Sequence, residues 1–216
     1  MRLDGSVPAR MGEAPVRRGS LSAQAAILDA LERLLRARPF SELAVNDIIA
    51  EAGVSRTSFY ANFASRTAVL SGCLRRVVGE IAVAVDPFLT EAAADPAAAI
   101  RVNLARWVDL ASAHGPLLRT VSEQWIHDAE LGELWLEVMA AFSASTARVI
   151  EQARAAGTAP PGADPAALAT CLMWGYEQVL HVALVGGALG LDDPPAIVEP
   201  LAQMMVGGVF GHVDDP

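Results

Sequence analysis

A glycine-centred turn followed by a short polar segment is the most chemically informative feature of the sequence. The turn is Ala52-Gly53-Val54-Ser55, and Gly53 can supply the positive φ that a sharp connection between two helices requires. Helical spacing directs the apolar residues around the turn into a small core made of Ile48, Ile49, Ala52, Val54, Phe59 and Phe63. The outward face is then polar and short-chained, and it consists of Arg56, Thr57, Ser58, Tyr60, Ala61 and Asn62. Such a face can approach the floor of a DNA groove and hydrogen-bond to phosphates and base edges.

No arrangement of residues in the sequence indicates catalysis or a bound metal. The histidines, His114, His127, His181 and His212, lack the spacing of two histidines and an acid that zinc enzymes use. Glu123 and His127 are spaced one helical turn apart, which we interpret as a surface contact. The sequence also has no nucleophile elbow, phosphate-binding loop or dinucleotide fingerprint. We therefore expect a protein that is not an enzyme and that holds no cofactor.

Charge is distributed unevenly along the chain, although the net charge is -9. Residues 1–80 contain eleven arginines against eight acidic residues, whereas residues 81–216 contain five against seventeen. Only the first part can therefore attract the phosphates of nucleic acid. The acidic residues 81–216 must therefore have a role other than contacting nucleic acid.

Composition indicates a globular, reduced protein of the cytoplasm. Hydrophobic residues make up 53% of the chain, but no stretch of about 18 residues is free of charges or helix-breaking residues, so we expect no membrane association. The two cysteines, Cys73 and Cys171, lie far apart within apolar helical patterns. We interpret both as reduced thiols in the core.

Apolar periodicity and turn residues predict an all-α fold of about nine helices. Residues 1–20 show no apolar period and are interpreted as a flexible arm whose Arg10, Arg17 and Arg18 stay in solvent rather than in the minor groove. The predicted helices run from a cap at Ser22 to a stop before Pro39, from Val45 to Ala52, from Arg56 to Phe63, from a cap at Ser65 to about Val85, and then over about 96–113, 116–126, 130–156, 164–186 and 196–210.

The segment around the turn resembles the DNA-binding domain of the TetR family of repressors. The resemblance covers about residues 22–80 and is carried by the run from Val45 to Ser55, by Phe59-Tyr60-Ala61-Asn62-Phe63, by Ser65-Arg66 and by Val69-Leu70. It implies a three-helix helix-turn-helix domain over 21–66, after the arm of 1–20, and a helical ligand-binding and dimerisation domain over 67–216. A small apolar ligand and double-stranded DNA are the implied partners.

The resemblance also implies roles for residues of the first domain. Tyr60, Asn62 and Arg66 would position the domain on the DNA backbone, and Arg56, Thr57 and Ser58 would lie nearest the base edges. The complete predicted DNA-binding set is Val45, Ser55, Arg56, Thr57, Ser58, Tyr60, Ala61, Asn62 and Arg66. Ala44 departs from the family pattern, in which a Ser or Thr at this position caps the second helix. About 1 kcal/mol of helix capping is therefore expected to be missing.

The second part of the chain resembles the EthR-like group of that family. The carrying residues are Ala111-Ser112-Ala113-His114, Glu133-Leu134-Trp135 with Met139, Thr146 to Ile150, Ala167 to Thr170, and the region of Glu177. The resemblance implies a hydrophobic tunnel in which Tyr176 and Glu177 are the polar groups that orient a ligand. The implied lining is Ile100, Leu104, Trp107, Trp135, Met139, Phe142, Thr146, Met173, Tyr176, Glu177, Leu180 and Met205. For any one of these residues taken singly, an ordinary core position is the better interpretation, whereas taken together they favour an apolar pocket.

Small residues on the last two long helices predict a homodimer. They are Gly175, Ala183, Gly186 and Gly187 on one helix and Gly207, Gly208 and Gly211 on the other. Because an interior glycine costs a helix about 1 kcal/mol, close packing against a partner helix is the expected compensation. Together with the family resemblance, this predicts a dimeric repressor that binds a palindromic operator and is released by a small hydrophobic ligand. The alternative is a ligand-binding or interaction module that has lost operator binding.

Overall fold

The protein is a bundle of α-helices in the computed structural model, which describes residues 18–85, 96–185 and 193–211. These ranges contain no strand, so the all-α prediction is confirmed. No helix within them is long and apolar enough to cross a bilayer. The helices are α1 (Arg18–Ala37), α2 (Val45–Ala52), α3 (Arg56–Asn62), α4 (Arg66–Val85), α5 (Pro96–Ala113), α6 (Gly115–Gln124), α7 (Ala129–Ala155), α8 (Pro165–Val185) and α9 (Val198–Phe210). Short 3-10 helices cover Phe40–Glu42 and Pro194–Ile197.

Helix α1 begins earlier than the sequence analysis predicts. Ser22 lies inside the helix, whose first residue is Arg18, so the prediction that Ser22 is its cap is wrong. Gly19 and Ser20, which could mark a turn before Ser22, instead lie within the first turn of the helix. The end of α1 at Ala37, just before Pro39, agrees with the prediction. Residues 1–17, including Arg10 and Arg17, lie outside the described residues, as does the side chain of Arg18.

The start of α2 is stabilised by an acid rather than by a hydroxyl. Ala44 occupies the cap position and has no side-chain acceptor, as predicted. Asp47 Oδ2 instead accepts a hydrogen bond of 2.7 Å from the backbone N–H of Ala44. This bond, with the nearby guanidinium of Arg38, lowers the pKa of the Asp47 carboxyl. Half of a capping box is therefore present.

Helix α4 belongs to two parts of the molecule at once. Val69, Leu70, Cys73 and Val77 are buried in a cluster that also holds residues of α1, α2 and α3. The same cluster continues into α6 and α7 through residues such as Leu117 and Trp135. No break in packing therefore separates the predicted domains at residues 66 and 67, because α4 carries the apolar core across that boundary.

A charged network lies on another side of α4 and reaches α1. Arg76 donates to Asp29 Oδ1 at 2.6 Å and to Glu32 Oε1 at 2.8 Å. Burial opposes the charge of Arg76, but the hydrogen bonds to Glu32 and Asp29 outweigh it and raise its pKa. His114, at the junction of α5 and α6, lies 3.2 Å from Glu80 Oε2 and 3.4 Å from Glu32 Oε2. The network thus ties α1, α4 and the α5–α6 junction together.

Helices α5 to α9 enclose a second apolar cluster. It contains Leu104, Val108, Tyr176, Leu180 and Leu201, among others, and arises where α7 packs against α8 and α5 packs against α9. Gly132 permits a close approach within this region, because a Cβ there would lie 2.7 Å from the carbonyl oxygen of Trp125. The predicted helices of the second part of the chain are confirmed, with ends that differ by one or two residues.

Two predictions about individual side chains are wrong. Cys171 is exposed on α8 rather than buried. Cys73 is buried as predicted, and this burial raises the pKa of the Cys73 thiol to about 12. Helix α6 ends at Gln124, so Glu123 and His127 do not share a helix and their spacing does not bring them together. His212 lies outside the described residues.

Acid titration can test the cap at α2. Because the folded protein holds the pKa of Asp47 below its ordinary value of 3.8, the carboxylate stabilises the fold above that pH and loses this effect as the pH falls through the lowered value. We expect Asp47→Asn to lower Tm near neutral pH, and this difference to shrink below about pH 3.8. Glu42→Gln, at an exposed acid nearby, is the control. A Tm difference that does not depend on pH would contradict this role for Asp47.

Urea unfolding can test the Arg76 network. Arg76→Met keeps most of the apolar stem but leaves Glu32, which is only 13% exposed, without its main partner. We expect the free energy of unfolding to fall by about 2 kcal/mol. Arg75→Met is the matched control at an exposed neighbour, where the change should stay within about 0.5 kcal/mol. Equal effects of the two substitutions would show that the network does not stabilise the fold.

Candidate nucleic-acid interface and apolar cavity

The turn between α2 and α3 has the geometry that the sequence predicts. Gly53 adopts φ +64° and ψ +29°, the left-handed conformation that ends α2. Ser55 Oγ then accepts from the backbone N–H of Ser58 at 3.0 Å and caps α3. Ile48 and Phe59 are fully buried beneath the turn. The inner side of α3 is therefore fixed, and its other side is presented to solvent.

The predicted DNA-binding residues around α3 are either exposed or half-buried. Ser55, Arg56, Thr57, Tyr60 and Ala61 are exposed, and Ser58 and Asn62 are half-buried on the same short helix. Val45 is also half-buried, but it packs against the apolar core. Asn62 Nδ2 donates to the carbonyl of Ser58 at 2.8 Å. The structure thus brings most of the set together on the outward side of α3.

Arg66 has a structural role that the sequence analysis did not foresee. Its Nη1 donates to the carbonyl oxygens of Phe40, at 2.8 Å, and Leu43. Its guanidinium also stacks on the Phe40 ring, 4.6 Å from the centroid. Arg66 therefore ties the first turn of α4 to the connection between α1 and α2. The phosphate contact implied for Arg66 stays a prediction.

Asn46 is a residue of this face that the sequence analysis missed. It is exposed in the first turn of α2, and its Oδ1 accepts a hydrogen bond of 3.2 Å from Arg56 Nη1. The guanidinium of Arg56 also lies 5.6 Å from the centroid of the Tyr60 ring. A polar side chain in the first turn of the helix before α3 was the available signal in the sequence.

A cavity of about 140 Å³ lies between the two apolar clusters. Helices α4 to α9 all contribute to its wall. Every residue of the predicted tunnel lines it: Ile100, Leu104, Trp107, Trp135, Met139, Phe142, Thr146, Met173, Tyr176, Glu177, Leu180 and Met205. Helix α4 also contributes Leu74, Val78 and Ile81, which were not among the predicted residues. Their spacing of four and three residues on one helix was the available signal.

The few polar groups of the cavity wall are held in different ways. Tyr176 donates its hydroxyl to the carbonyl of Leu201 at 3.1 Å, and burial raises its pKa. Ser122 Oγ donates to Glu177 Oε1 at 2.6 Å. In contrast, Asn103 Oδ1, Trp135 Nε1 and His181 Nδ1 are buried without a hydrogen-bond partner among the described residues. The wall is thus mainly apolar, and a few of its residues carry buried polar atoms that have no partner in the described part of the chain.

Neither site contains a group suited to hold a metal. Within residues 18–85, 96–185 and 193–211, no three His, Cys, Asp or Glu residues lie close enough together to bind one. The chemistry available is therefore hydrogen bonding and charge on the α3 face, and apolar burial in the cavity.

Comparison with known proteins agrees with both halves of this architecture. Residues 27–73 match the family described as bacterial regulatory proteins of the tetR family, and residues 98–211 match the C-terminal domain of the transcriptional regulator EthR. The HTH-type transcriptional regulator EthR of Mycolicibacterium smegmatis is 30% identical over 188 residues, covering 87% of this chain and 86% of the relative. EthR of Mycobacterium tuberculosis is 31% identical over 192 residues, with 87% of each chain covered.

Solved structures with lower identity share the fold. A TetR-family regulator from Syntrophomonas wolfei superposes with a TM-score of 0.72 at 15% identity, covering 90% of this chain and 99% of that one. SmeT, the repressor of the Stenotrophomonas maltophilia multidrug efflux pump SmeDEF, gives a TM-score of 0.68 at 23% identity, covering 89% and 96%. The chain therefore belongs to the TetR family of transcriptional regulators and, within it, to the EthR-like group.

Proposed function

We propose that this regulator binds a palindromic operator as a homodimer, represses transcription there, and is released when a small hydrophobic molecule fills the cavity. The observation that carries this proposal is the position of α4. Leu74, Val78 and Ile81 form part of the cavity wall, and residues of the same helix pack on α1 of the DNA-binding domain. A ligand that moves α4 therefore moves the domain that carries α3.

Two features of the cavity wall favour a ligand that is mostly apolar. Most lining side chains are aliphatic or aromatic, and Met139, Met173 and Met205 are adaptable enough to accept different shapes. Trp135 Nε1 lacks a hydrogen-bond partner within the described ranges but is fully buried, so it offers the ligand no exposed polar group. Ser122 and Glu177 already bond to each other.

The glycines of α8 and α9 support the dimer. A Cβ added at Gly175 or Gly207 would meet nothing within 4 Å in the single chain, so intramolecular packing does not require glycine there. Met204, on the same helix as Gly207, is 49% exposed. An apolar, small-residue surface of this kind suits a closely packed partner helix. In a two-fold dimer, the α3 helices would reach successive major grooves about 34–36 Å apart.

Other small residues contribute differently from the prediction. Ala183 is 3% exposed and faces the core of its own chain, so its assignment to the dimer face is wrong. A Cβ at Gly211 would contact Pro160 of the same chain at 3.5 Å. Gly186 and Gly187 lie outside the described residues. The proposed dimer surface therefore centres on Gly175, Met204 and Gly207.

A cavity-filling substitution tests ligand-induced release. We expect Thr146→Phe to retain operator binding but to lose release by a homologous series of n-alkyl ketones, because the added ring occupies the cavity. Ala141→Phe, on the exposed side of the same helix, is the control and should respond as the native chain does. Mobility shift on an operator selected from random duplex DNA provides the measurement. The selection also decides whether the chain has kept operator binding at all. If the ketones release the Thr146→Phe protein from the operator as they release the native chain, a ligand site in this cavity is contradicted.

A charge at α9 tests the dimer. We expect Gly207→Glu to halve the molar mass measured by sedimentation and to weaken operator binding strongly, because two like charges would meet across the two-fold axis. Gly79→Glu is the matched control, since Gly79 is an exposed helical glycine whose Cβ also meets nothing within 4 Å. The control should remain dimeric. A Gly207→Glu protein that sediments as the native chain does would place the interface elsewhere.

A further inference from the structure

The guanidinium of Arg56 is held by side chains of two helices. It donates from Nη1 to Asn46 Oδ1 of α2 at 3.2 Å. It also lies 5.6 Å from the ring centroid of Tyr60, one turn along its own helix. All three side chains are exposed, so burial in a core is not what brings them together. The contact therefore joins the first turn of α2 to the first turn of α3 on the side that faces away from the core.

Holding Arg56 in this way has a consequence for recognition. A free arginine side chain loses much of its rotamer freedom when it binds, whereas a side chain already oriented loses less. The bond to Asn46 uses one hydrogen of Nη1 and leaves Nε and Nη2 free. Two adjacent guanidinium donors are what a bidentate contact to guanine O6 and N7 requires.

The chemistry of Asn46 suits this task better than an acid would. An aspartate at the same place would hold the guanidinium more tightly, but it would cancel the positive charge and repel the phosphates. The neutral amide orients Arg56 and leaves its charge available.

We propose that Asn46 is a positioning residue that sets sequence preference by aiming Arg56 at a guanine in the major groove. The inference rests on the operator binding proposed above. It assigns to α2 a share in specificity that acts through α3. The competing possibility is that Asn46 reads a base itself, since asparagine can bond to adenine N6 and N7.

A double-mutant cycle with full-length protein separates these possibilities. The native chain first selects its operator from random duplex DNA. Affinity is then measured for that operator and for each single base-pair variant, with the native chain, Asn46→Ala, Arg56→Ala and the double substitution. We expect Arg56→Ala to reduce discrimination at one guanine pair by about 5- to 150-fold. Asn46→Ala should reduce it by about threefold to tenfold at the same pair and leave other pairs unaffected.

The double substitution is the decisive comparison. If Asn46 acts through Arg56, then Asn46→Ala has no further effect in the Arg56→Ala protein. Additive losses, an Asn46→Ala effect at a different base pair, or no effect of Asn46→Ala would each overturn the inference while operator binding stands. Failure to enrich any sequence would overturn operator binding, and this inference with it.

We expect the Asn46→Ala protein to fold normally, so its effect on DNA binding can be interpreted directly. Alanine has a higher helix propensity than asparagine, and position 46 is exposed, so Asn46→Ala should keep the native Tm. The slope of affinity against salt concentration provides a second check. It should not change for Asn46→Ala, because no charge is removed, and a lower slope would indicate a lost phosphate contact instead.

Discussion

Helix α4 must satisfy two packing environments at the same time, and the rest of the architecture follows from this constraint. Its buried residues complete the core beneath α1 and α3, and Leu74, Val78 and Ile81 close one side of the cavity. Protein cores are packed nearly as densely as crystals of small organic molecules. A helix that packs in two cores therefore cannot shift in one core without disturbing the packing of the other. Arg76 reinforces this coupling, because its two carboxylate partners belong to α1.

The DNA-binding domain is held by short-range contacts that leave little freedom around α3. Gly53 and the Ser55 cap set the angle between α2 and α3, and Arg66 fixes the start of α4 to the backbone of the preceding connection. The outward side chains are constrained as well, since Asn62 bonds back to its own helix and Arg56 bonds to α2. In the proposed release, a domain tied together in this way would move as one body, so a shift of α4 would change the position of the α3 face rather than its shape.

Local signals allowed the sequence to predict α2, α3 and the start of α4 closely, because Gly53, Ser55 and Ser65 act on their own neighbours. The start of α1 was wrong, since a serine is a cap only where the chain before it leaves the helix. Cys171 and Ala183 were placed on the wrong sides of α8 because that helix is apolar nearly all round, and periodicity then cannot identify the buried face. The tunnel residues do converge on one cavity, but the unpaired Asn103 and His181 depend on contacts between helices that no local pattern encodes.

The size of the cavity bears on how the proposed release would work. At about 140 Å³ it is smaller than the pockets of about 300–1,000 Å³ that hold drug-sized molecules. A larger ligand must therefore displace part of the wall. The methionines can absorb some of this displacement by changing rotamer, since their side chains are flexible. Val78 and Ile81 are branched and stiffer, so the remaining displacement passes to α4. In the proposed release, ligand volume beyond what the methionines can absorb would be the quantity that moves the DNA-binding domain, because a ligand that shifts no equilibrium between two states cannot regulate.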